Sequence, residues 1–574
     1  MSKQTQLWCL AAFLLGVSLL LLLPRSDAQA EGAVSSHLIT GRVFDPQGQP
    51  VGGAQVTALA DDHSEPIAQA RTQANGRYTL SLPEAIPDTL AIQIERVHFE
   101  KEQLDLDEAT IQSLRDGQPV VLPDTALPRH IGPAFWVATA IFVGVLVLIA
   151  AGILHNTLAA LLGASLVLGV SYLSHAVFGG LYIFGFESAL EYVDWNVIFL
   201  IMGMMIVIAV VERTGIFQWL ALRAYRLSGG RIWLLVIILM IIAGVGSAFL
   251  DNVTTMLLMT PITIQISLAM GISPLALLMP EVMASNVAGV STLVGTPTNI
   301  LIGSYADISF NGFLVNLTPG VLLALVGLVI YSTFAYRREL LETNEAVPHL
   351  GEDLVRRARI TEPDHLKKAG WVGAGMLLLF VFGEKIHLLP AVTALIGATA
   401  LLVWIRPDIE EMIEAVDWTT LVFFMTLFIL VGAIQEVGLI SVIADLIGQA
   451  VGDNLLLTML AVVWLGALLS TVVANIPFTA AMLPVVGYLS TIVPGAHSKA
   501  LFYCLSVGSG MGGNGSLIGA SANMVTAGIA ERGGYPISYL YFLGKGFPAL
   551  VITVSLATLW LLLRFVVMGS PGGL

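Results

Sequence analysis

One motif occurs twice in this chain, once in each half of its long apolar region. The copies cover residues 251–261 and 474–484, and the same offset relates their asparagines, Asn252 and Asn475 (475 − 252 = 223). Each copy interrupts an apolar run long enough to lie in a bilayer. Polar, helix-breaking residues persist at membrane depth only where protein or a water-filled cavity satisfies the freed backbone groups. Matching interruptions in two halves are typical of the binding site of a secondary transporter.

Composition indicates an integral membrane protein and excludes several functions. Of the 574 residues 56% are hydrophobic and 11% charged, whereas soluble domains carry about 25% charged residues. The net charge of −14 comes without a basic patch, so we expect no nucleic-acid partner. Cys9 and Cys504 predict neither a disulfide nor a thiolate metal site. The sequence contains no Gly-rich phosphate loop with its lysine and no converging catalytic set, so we expect neither an enzyme nor a bound cofactor.

The N-terminus predicts an export signal. An apolar run after Lys3 ends in the small-residue pattern Ala28-Gln29-Ala30. We therefore interpret residues 1–30 as a signal peptide, with an uncleaved anchor as the alternative. Either version places residues 31–130 outside the cytoplasm.

Residues 35–127 have the character of a small soluble domain. Short alternating segments separated by Gly, Pro and Asn turns predict a β-sandwich. The domain contains His37, His63 and His98, whose spacing matches no zinc motif. We interpret these histidines as surface residues, with metal binding as the alternative.

From Pro133 onward, apolar segments of about 20 residues predict a polytopic α-helical membrane protein. Two repeats cover residues 133–336 and 370–568, and each contains a re-entrant hairpin. The first repeat has five full spans, an odd number, so the second repeat is expected to enter the membrane from the opposite side. The linker, residues 337–369, is rich in Lys and Arg, which predicts a cytoplasmic location.

Each repeat contains a second polar interruption, at residues 291–299 and 515–523. Glycine allows the helix to unwind there, and unwound carbonyls coordinate cations while half-helix N-termini attract anions. The alternative is that these small residues only permit close helix packing. The predicted substrate- and ion-binding set is Asp251, Asn252, Thr254, Ser291, Gly295, Thr296, Asn299, Asn475, Thr479, Asn514, Gly519, Ser521 and Asn523. The sodium candidates within it are Asp251, Asn252, Gly295, Asn475 and Gly519.

Two acidic residues fall inside the apolar segments. Asp251 lies at the first hairpin tip, and a carboxylate at that depth is costly and a functional candidate by default. We expect it to bind sodium or carry a proton, with a structural pairing to an arginine as the alternative. Its repeat partner is Ala474, so a charge role is confined to one half. Glu281, in the following span, is a second candidate for a buried carboxylate.

Residues 247–255 and 512–523 resemble the ion transporter superfamily, and residues 475–479 and 528–532 add to that resemblance. The similarity is strongest to the arsenite permease, NhaD-type antiporter and P protein group, with its citrate-transporter-like domain. The superfamily also contains the divalent anion/sodium symporters. The resemblance implies two inverted repeats with hairpins and broken helices, a homodimer, and sodium and carboxylate contacts from Asn252 and Asn475. The segment 35–127 resembles the carboxypeptidase regulatory-like domain.

The sequence thus predicts a secondary active transporter in the plasma or inner membrane. We expect its substrate to be a small anion, either a carboxylate or an inorganic oxyanion. Sodium or protons are the expected coupling ions, and the movement is expected to be of the elevator type. The alternatives are a sodium/proton antiporter, an arsenite-type permease, and a membrane sensor or assembly protein that acts through its β-sandwich.

Overall fold

The computed structural model describes residues 37–569, except 47, 49, 61–64, 84, 178–179, 342–359 and 453. The predicted signal peptide, His63 and most of the linker therefore lie outside the described residues. The chain divides into two compact units, Met1–His130 and Ile131–Leu574.

The first unit contains two sheets around one core. The elements are β1 Leu38–Phe44, β2 Gln55–Ala60, β3 Glu65–Arg71, β4 Arg77–Ser81, β5 Leu90–Glu95, β6 Glu102–Asp105, helix α1 Glu108–Arg115, β7 Val120–Val121 and β8 Thr125–Ala126. The strand order is β4-β1-β7 in one sheet, where β8 also pairs with β1, and β3-β2-β5-β6 in the other. Buried side chains of both sheets, such as Ile39, Leu80 and Ile92, form one apolar cluster, which confirms the expected small β domain.

The second unit is helical, and eleven helices of the described residues are long and apolar enough to cross a membrane. The polytopic α-helical fold is thereby confirmed. In its first half the helices are α2 Pro133–Ala150, α3 Asn156–Val177, α4 Phe186–Glu191, α5 Trp195–Arg213, α6 Ile216–Ser228, α7 Ile232–Leu250, α8 Asn252–Met270, α9 Leu275–Gly289, α10 Pro297–Tyr305, α11 Phe310–Ala335 and α12 Arg337–Leu341.

The second half repeats this order closely. Helices α5 and α16 begin at the offset that separates the two motifs (418 − 195 = 223), and so do α6 and α17 (439 − 216 = 223). The helices are α13 Pro363–Phe382, α14 Pro390–Ile405, α15 Ile409–Glu414, α16 Trp418–Glu436, α17 Leu439–Val451, α18 Leu455–Val472, α19 Asn475–Ile492, α20 Ala500–Gly512, α21 Ser521–Arg532 and α22 Tyr539–Leu562, with a π-helical end at Leu563–Val567.

The two halves are interlocked. Helix α3 packs on α16 and α14 on α5, while α10 packs on α19 and α21 on α8. Such reciprocal contacts are what a two-fold relation between the halves produces. Helices α9 and α20 are buried along almost their whole length, so they form the centre of the unit.

Contacts sort the helices into two groups. The core consists of α7–α11 and α18–α22, and the scaffold of α2–α5 and α13–α16; each group packs mainly within itself. The short helices α6 and α17 leave the scaffold and pack on the hairpins. The apolar pattern did not predict these two helices, because each has 13 residues and a membrane span needs about 20.

Candidate functional site

The first hairpin turns on a single residue, Asp251. Its backbone has φ 83° and ψ 155°, a region that mainly glycine occupies. Its carboxylate accepts hydrogen bonds from the amide and the hydroxyl of Thr254, both at 2.9 Å, and so caps helix α8. The chain reverses direction at Asp251, and the two arms of the hairpin lie close together. A methyl group on Gly246 of α7 would lie only 3.2 Å from the Thr255 side chain of α8. Asp251 is therefore a helix cap in a strained conformation.

The second hairpin turns differently. Its N-cap residue is Ala474, which offers no side-chain hydrogen bond to helix α19. The Asn475 amide N–H donates to the Gly519 carbonyl at 3.2 Å, and the Thr479 hydroxyl donates to the Asn475 carbonyl at 2.7 Å. The Asn475 side chain is only 4% exposed and forms no hydrogen bond with any described residue. At this hairpin tip the side-chain amide of Asn475 is therefore unbonded, and helix α19 begins without a side-chain cap.

An asparagine closes the unwound segment of each half. Asn299 donates to the carbonyls of Val290 and Thr292 at 2.9 and 2.7 Å. Asn523 donates to those of Gly513 and Ser516 at 2.7 and 2.9 Å. Because the two asparagines occupy matching positions of the two halves, the repeat extends to individual hydrogen bonds.

The helices that follow these segments begin differently. The Thr296 hydroxyl caps α10 by accepting a hydrogen bond from the backbone N–H of Asn299 at 3.3 Å. Ala520, by contrast, leaves α21 without a side-chain cap. Gly295 and Gly519 allow close backbone approach, since a methyl group on either would collide with the carbonyl of Gly289 or Gly513.

Four buried asparagines form a hydrogen-bonded group, here called the asparagine cluster: Asn252, Asn286, Asn514 and Asn523. Asn286 is its centre, because its oxygen accepts from Asn252 at 2.8 Å and its nitrogen donates to Asn514 and Asn523, both at 2.9 Å. The cluster connects the first hairpin tip with the broken helices of both halves. Asn286 is not among the predicted site residues. Its polar side chain inside an apolar segment, shortly before the interruption at Ser291, would have indicated it.

Hydroxyl groups fasten each hairpin to the broken helix of its own half. Ser247 donates to the Ser285 carbonyl at 2.8 Å, and its repeat partner Ser470 donates to the Ser509 carbonyl at 2.9 Å. A second matched pair runs from Thr292 to the Ala248 carbonyl and from Ser516 to the Thr471 carbonyl. In each half a hairpin and a broken helix are therefore held together.

A cavity of about 590 Å³ lies between scaffold and core. All four half-helix N-termini reach it, through Thr254 of α8, Pro297 of α10, Ile476 of α19 and Ser521 of α21. The Ser521 hydroxyl forms no hydrogen bond with any described residue. The scaffold contributes three titratable groups to the lining, His155, Glu212 and Asp417, and also the polar residues Asn156, Thr157, Thr419 and Thr420.

A second cavity of about 590 Å³ is lined by Asn196, Asp307, Glu384 and His387 among others. Ile300 lines both cavities and so lies between them. Within the described part of the chain, neither lining includes a lysine or arginine.

Apart from Asn475, whose side chain is buried and unbonded at the second hairpin tip, the predicted site residues divide into three sets. Asp251, Thr254 and Ser521 line the first cavity. The side chains of Asn252, Asn299, Asn514 and Asn523 are engaged in the bonds described above, and Ser291 donates to the Ala288 carbonyl at 2.6 Å. Thr296, Thr479, Gly295 and Gly519 shape the caps and close approaches. Among the described residues no group of three or more His, Cys, Asp or Glu side chains could hold a metal ion.

Two repeats with hairpins and broken helices around a shared cavity define a membrane transporter. The citrate transporter family model (CitMHS) matches residues 145–501, and the carboxypeptidase regulatory-like domain model matches residues 38–125. This chain therefore belongs to the citrate transporter family and carries an added carboxypeptidase regulatory-like domain. As its family and relatives indicate, it is a transporter and not an enzyme.

Known proteins agree with that assignment. An uncharacterized transporter of Mycobacterium tuberculosis is 35% identical over 434 residues, which cover 75% of this chain and 99% of that protein. The human P protein is 33% identical over 532 residues, covering 79% of this chain and 62% of the P protein. The crystal structure of the YdaH transporter of Alcanivorax borkumensis has a similar fold, with a TM-score of 0.51 and 15% identity over 73% of this chain and all of that one.

Proposed function

We propose that this protein is a secondary active transporter of a small anion, a carboxylate such as citrate or an inorganic oxyanion, driven by a sodium or proton gradient. One observation carries the proposal, the unequal capping of the four half-helices at the cavity. Helices α8 and α10 are capped by Asp251 and Thr296, whereas α19 and α21 follow Ala474 and Ala520 and have no side-chain cap. Uncapped N-termini present N–H groups and positive dipole ends, which favour an anion.

The side chains beside those two N-termini fit the same role. Asn475 and Ser521 form no side-chain hydrogen bonds with described residues, so their amide and hydroxyl are unbonded. Ser521 lines the cavity itself, whereas Asn475 directly precedes Ile476, which lines it. An anion held by α19 and α21 would face the half of the cavity that contains Asp251. That carboxylate, with Glu212 and Asp417 on the same cavity, supplies negative charge for a coupling cation.

Elevator-type movement is supported by how the core is bonded. The asparagine cluster and the paired serine bonds tie both hairpins and both broken helices to one another. A core bonded in this way moves as one body. The scaffold meets it across two cavities separated by Ile300, so a shift of the core would open one and close the other.

Orientation and assembly complete the proposal. Four arginines lie on helix α6 or directly beside it in the chain, namely Arg213, Arg223, Arg226 and Arg231. The positive-inside rule assigns this end of the bundle to the cytoplasm. Residues 31–130 would then lie outside the cytoplasm and the linker 337–369 inside. The working unit is proposed to be a homodimer.

The test is uptake by proteoliposomes that contain the full-length protein. Citrate and a panel of other carboxylates and oxyanions are offered under imposed sodium or proton gradients. Asn475→Ala and Ser521→Ala should each raise KM about tenfold, the effect of losing one hydrogen bond of about 1.4 kcal/mol. Ser490→Ala is the control, because that hydroxyl lies on α19 but bonds the Val486 carbonyl.

Other outcomes would favour other functions. Absence of gradient-dependent flux for every anion refutes the proposal. Sodium-driven proton movement without any anion would indicate the antiporter instead. Loss of all flux after deletion of residues 31–127 would favour a sensor or assembly protein, since a transporter should retain flux without its β domain.

A further inference from the structure

Glu281 is a buried carboxylate that the proposed anion site does not use. It lies on helix α9 and has no solvent exposure. Neither carboxylate oxygen has a hydrogen-bond partner among the described residues. The Thr263 hydroxyl of α8 lies beside it and also makes no hydrogen bond of acceptable geometry with a described residue. Buried polar atoms in native proteins are nearly always bonded, so this pair requires an explanation.

The internal repeat shows that packing does not require the carboxyl group. The matching residue of the second half is Leu505, at the offset that also relates Asn299 to Asn523 (505 − 281 = 523 − 299), and it too has no exposure. A buried polar group without a partner costs about 1–3 kcal/mol, and an ionised one costs far more. Leucine would avoid that cost. Packing therefore gives no reason for a carboxyl group at this position, and its uncharged, protonated form is the one compatible with this environment.

No charge compensates Glu281 from the elements packed against α9. Helices α7 and α8 contain no titratable side chain, and α8 is preceded by Asp251, which bonds Thr254. Helix α20 contributes Tyr503 and Cys504, α11 Tyr331, and α21 the exposed pair Glu531 and Arg532. Helix α22 contributes Tyr539, Tyr541 and Lys545, and this lysine pairs with Glu339 at 3.1 Å. No described residue forms an ion pair with Glu281.

We propose that Glu281 carries the proton that moves with the substrate, which makes H⁺ the coupling ion. This rests on the proposed transport function. The carboxylic acid is formed when the carboxylate takes a proton from water on one side, and it releases that proton to water on the other side. An ionised Glu281 would add an uncompensated negative charge to a core that already holds the anion, so the loaded core crosses only with the group protonated, and the empty core returns after that proton has been released. About 7.5 Å of helix separates it from Asn286, the centre of the asparagine cluster.

The experiment compares full-length wild type with Glu281→Gln, Glu281→Asp and Glu281→Leu, the last copying position 505. Glu187→Gln is the control, because that carboxylate is exposed. Infrared spectra at about pH 7 should show a carboxylic acid band in wild type that is missing from Glu281→Gln. In proteoliposomes, Glu281→Gln should retain citrate exchange at equal pH but lose accumulation driven by a pH gradient. Glu281→Asp should restore part of that accumulation.

Two results would overturn the inference. One is the absence of the acid band from wild type, and the other is accumulation by Glu281→Gln that follows the pH gradient as in wild type. Wild-type accumulation that follows only a sodium gradient would overturn it as well. If wild type moves no citrate at all, the proposed substrate fails, while the infrared band still decides the state of Glu281.

Discussion

Replacing Asn286 with alanine tests the most central bonding feature of the core. The substitution removes three hydrogen bonds at once, those to Asn252, Asn514 and Asn523. It leaves one amide nitrogen and two amide oxygens buried without partners. Interhelical hydrogen bonds in membrane proteins average about 0.6 kcal/mol and reach about 1.7 kcal/mol, so three of them predict a loss of about 2–5 kcal/mol.

The neighbouring residue provides a matched control. Ser285 lies on the same helix, is fully buried, and its hydroxyl has no partner among the described residues. Ser285→Ala should therefore be nearly neutral or slightly stabilising. Thermal unfolding of the purified full-length protein, followed by tryptophan fluorescence, measures both variants. At about 2 °C per kcal/mol, Asn286→Ala should lower Tm by about 4–10 °C. Equal Tm values for the two variants would refute the structural role of the cluster.

Three further predictions follow from single residues. Gly295→Ala and Gly519→Ala should each cost about 1–3 kcal/mol because the added methyl collides with a backbone carbonyl, whereas Gly528→Ala, with no atom within 4 Å, should be tolerated in the same Tm assay. Asp251→Ala should lower Tm more than Asp251→Gly, since glycine relieves the strain at φ 83° while both lose the cap; the reverse order would contradict the assignment. Burial raises the pKa of Tyr78 to about 12. The unfolded phenol ionises near pH 10, so the unfolded β domain binds fewer protons between about pH 10 and 12 and stability falls there by about 2–3 kcal/mol. Tyr78 is the only tyrosine of residues 31–130, so phenolate absorbance of that fragment reports it alone, and a midpoint near pH 10 in the folded fragment would refute the burial effect.

Much of the architecture was predictable because it depends on patterns that repeat. The interruptions after Leu250 and Val473 and the apolar runs around them predicted both hairpins, and the constant offset between matching residues predicted the repeat. Short amphipathic helices such as α6 were missed. They bury only one face, and their apolar residues never form a run of membrane length.

The sequence did not predict which polar residues of the site bond each other and which remain unbonded. Sequence indicates which polar residues lie at membrane depth, but not which atoms already bond each other. Asn299 and Asn523 were predicted as ligands, and the structure shows both using their amides to close the backbone of their own segments. Asn475 carries the same side-chain amide and keeps it unbonded, a difference that follows from its place in the fold.

The asparagine cluster also has a consequence for how the protein is made. Asn286 leaves the ribosome 228 residues before Asn514 and 237 residues before Asn523. At about 5–20 residues per second this is a delay of about 10–50 s. During that time the newly inserted first half holds a polar side chain that lacks two of its three permanent partners. We therefore expect the first half to complete its packing only when translation is nearly finished, and products truncated before residue 514 to be degraded.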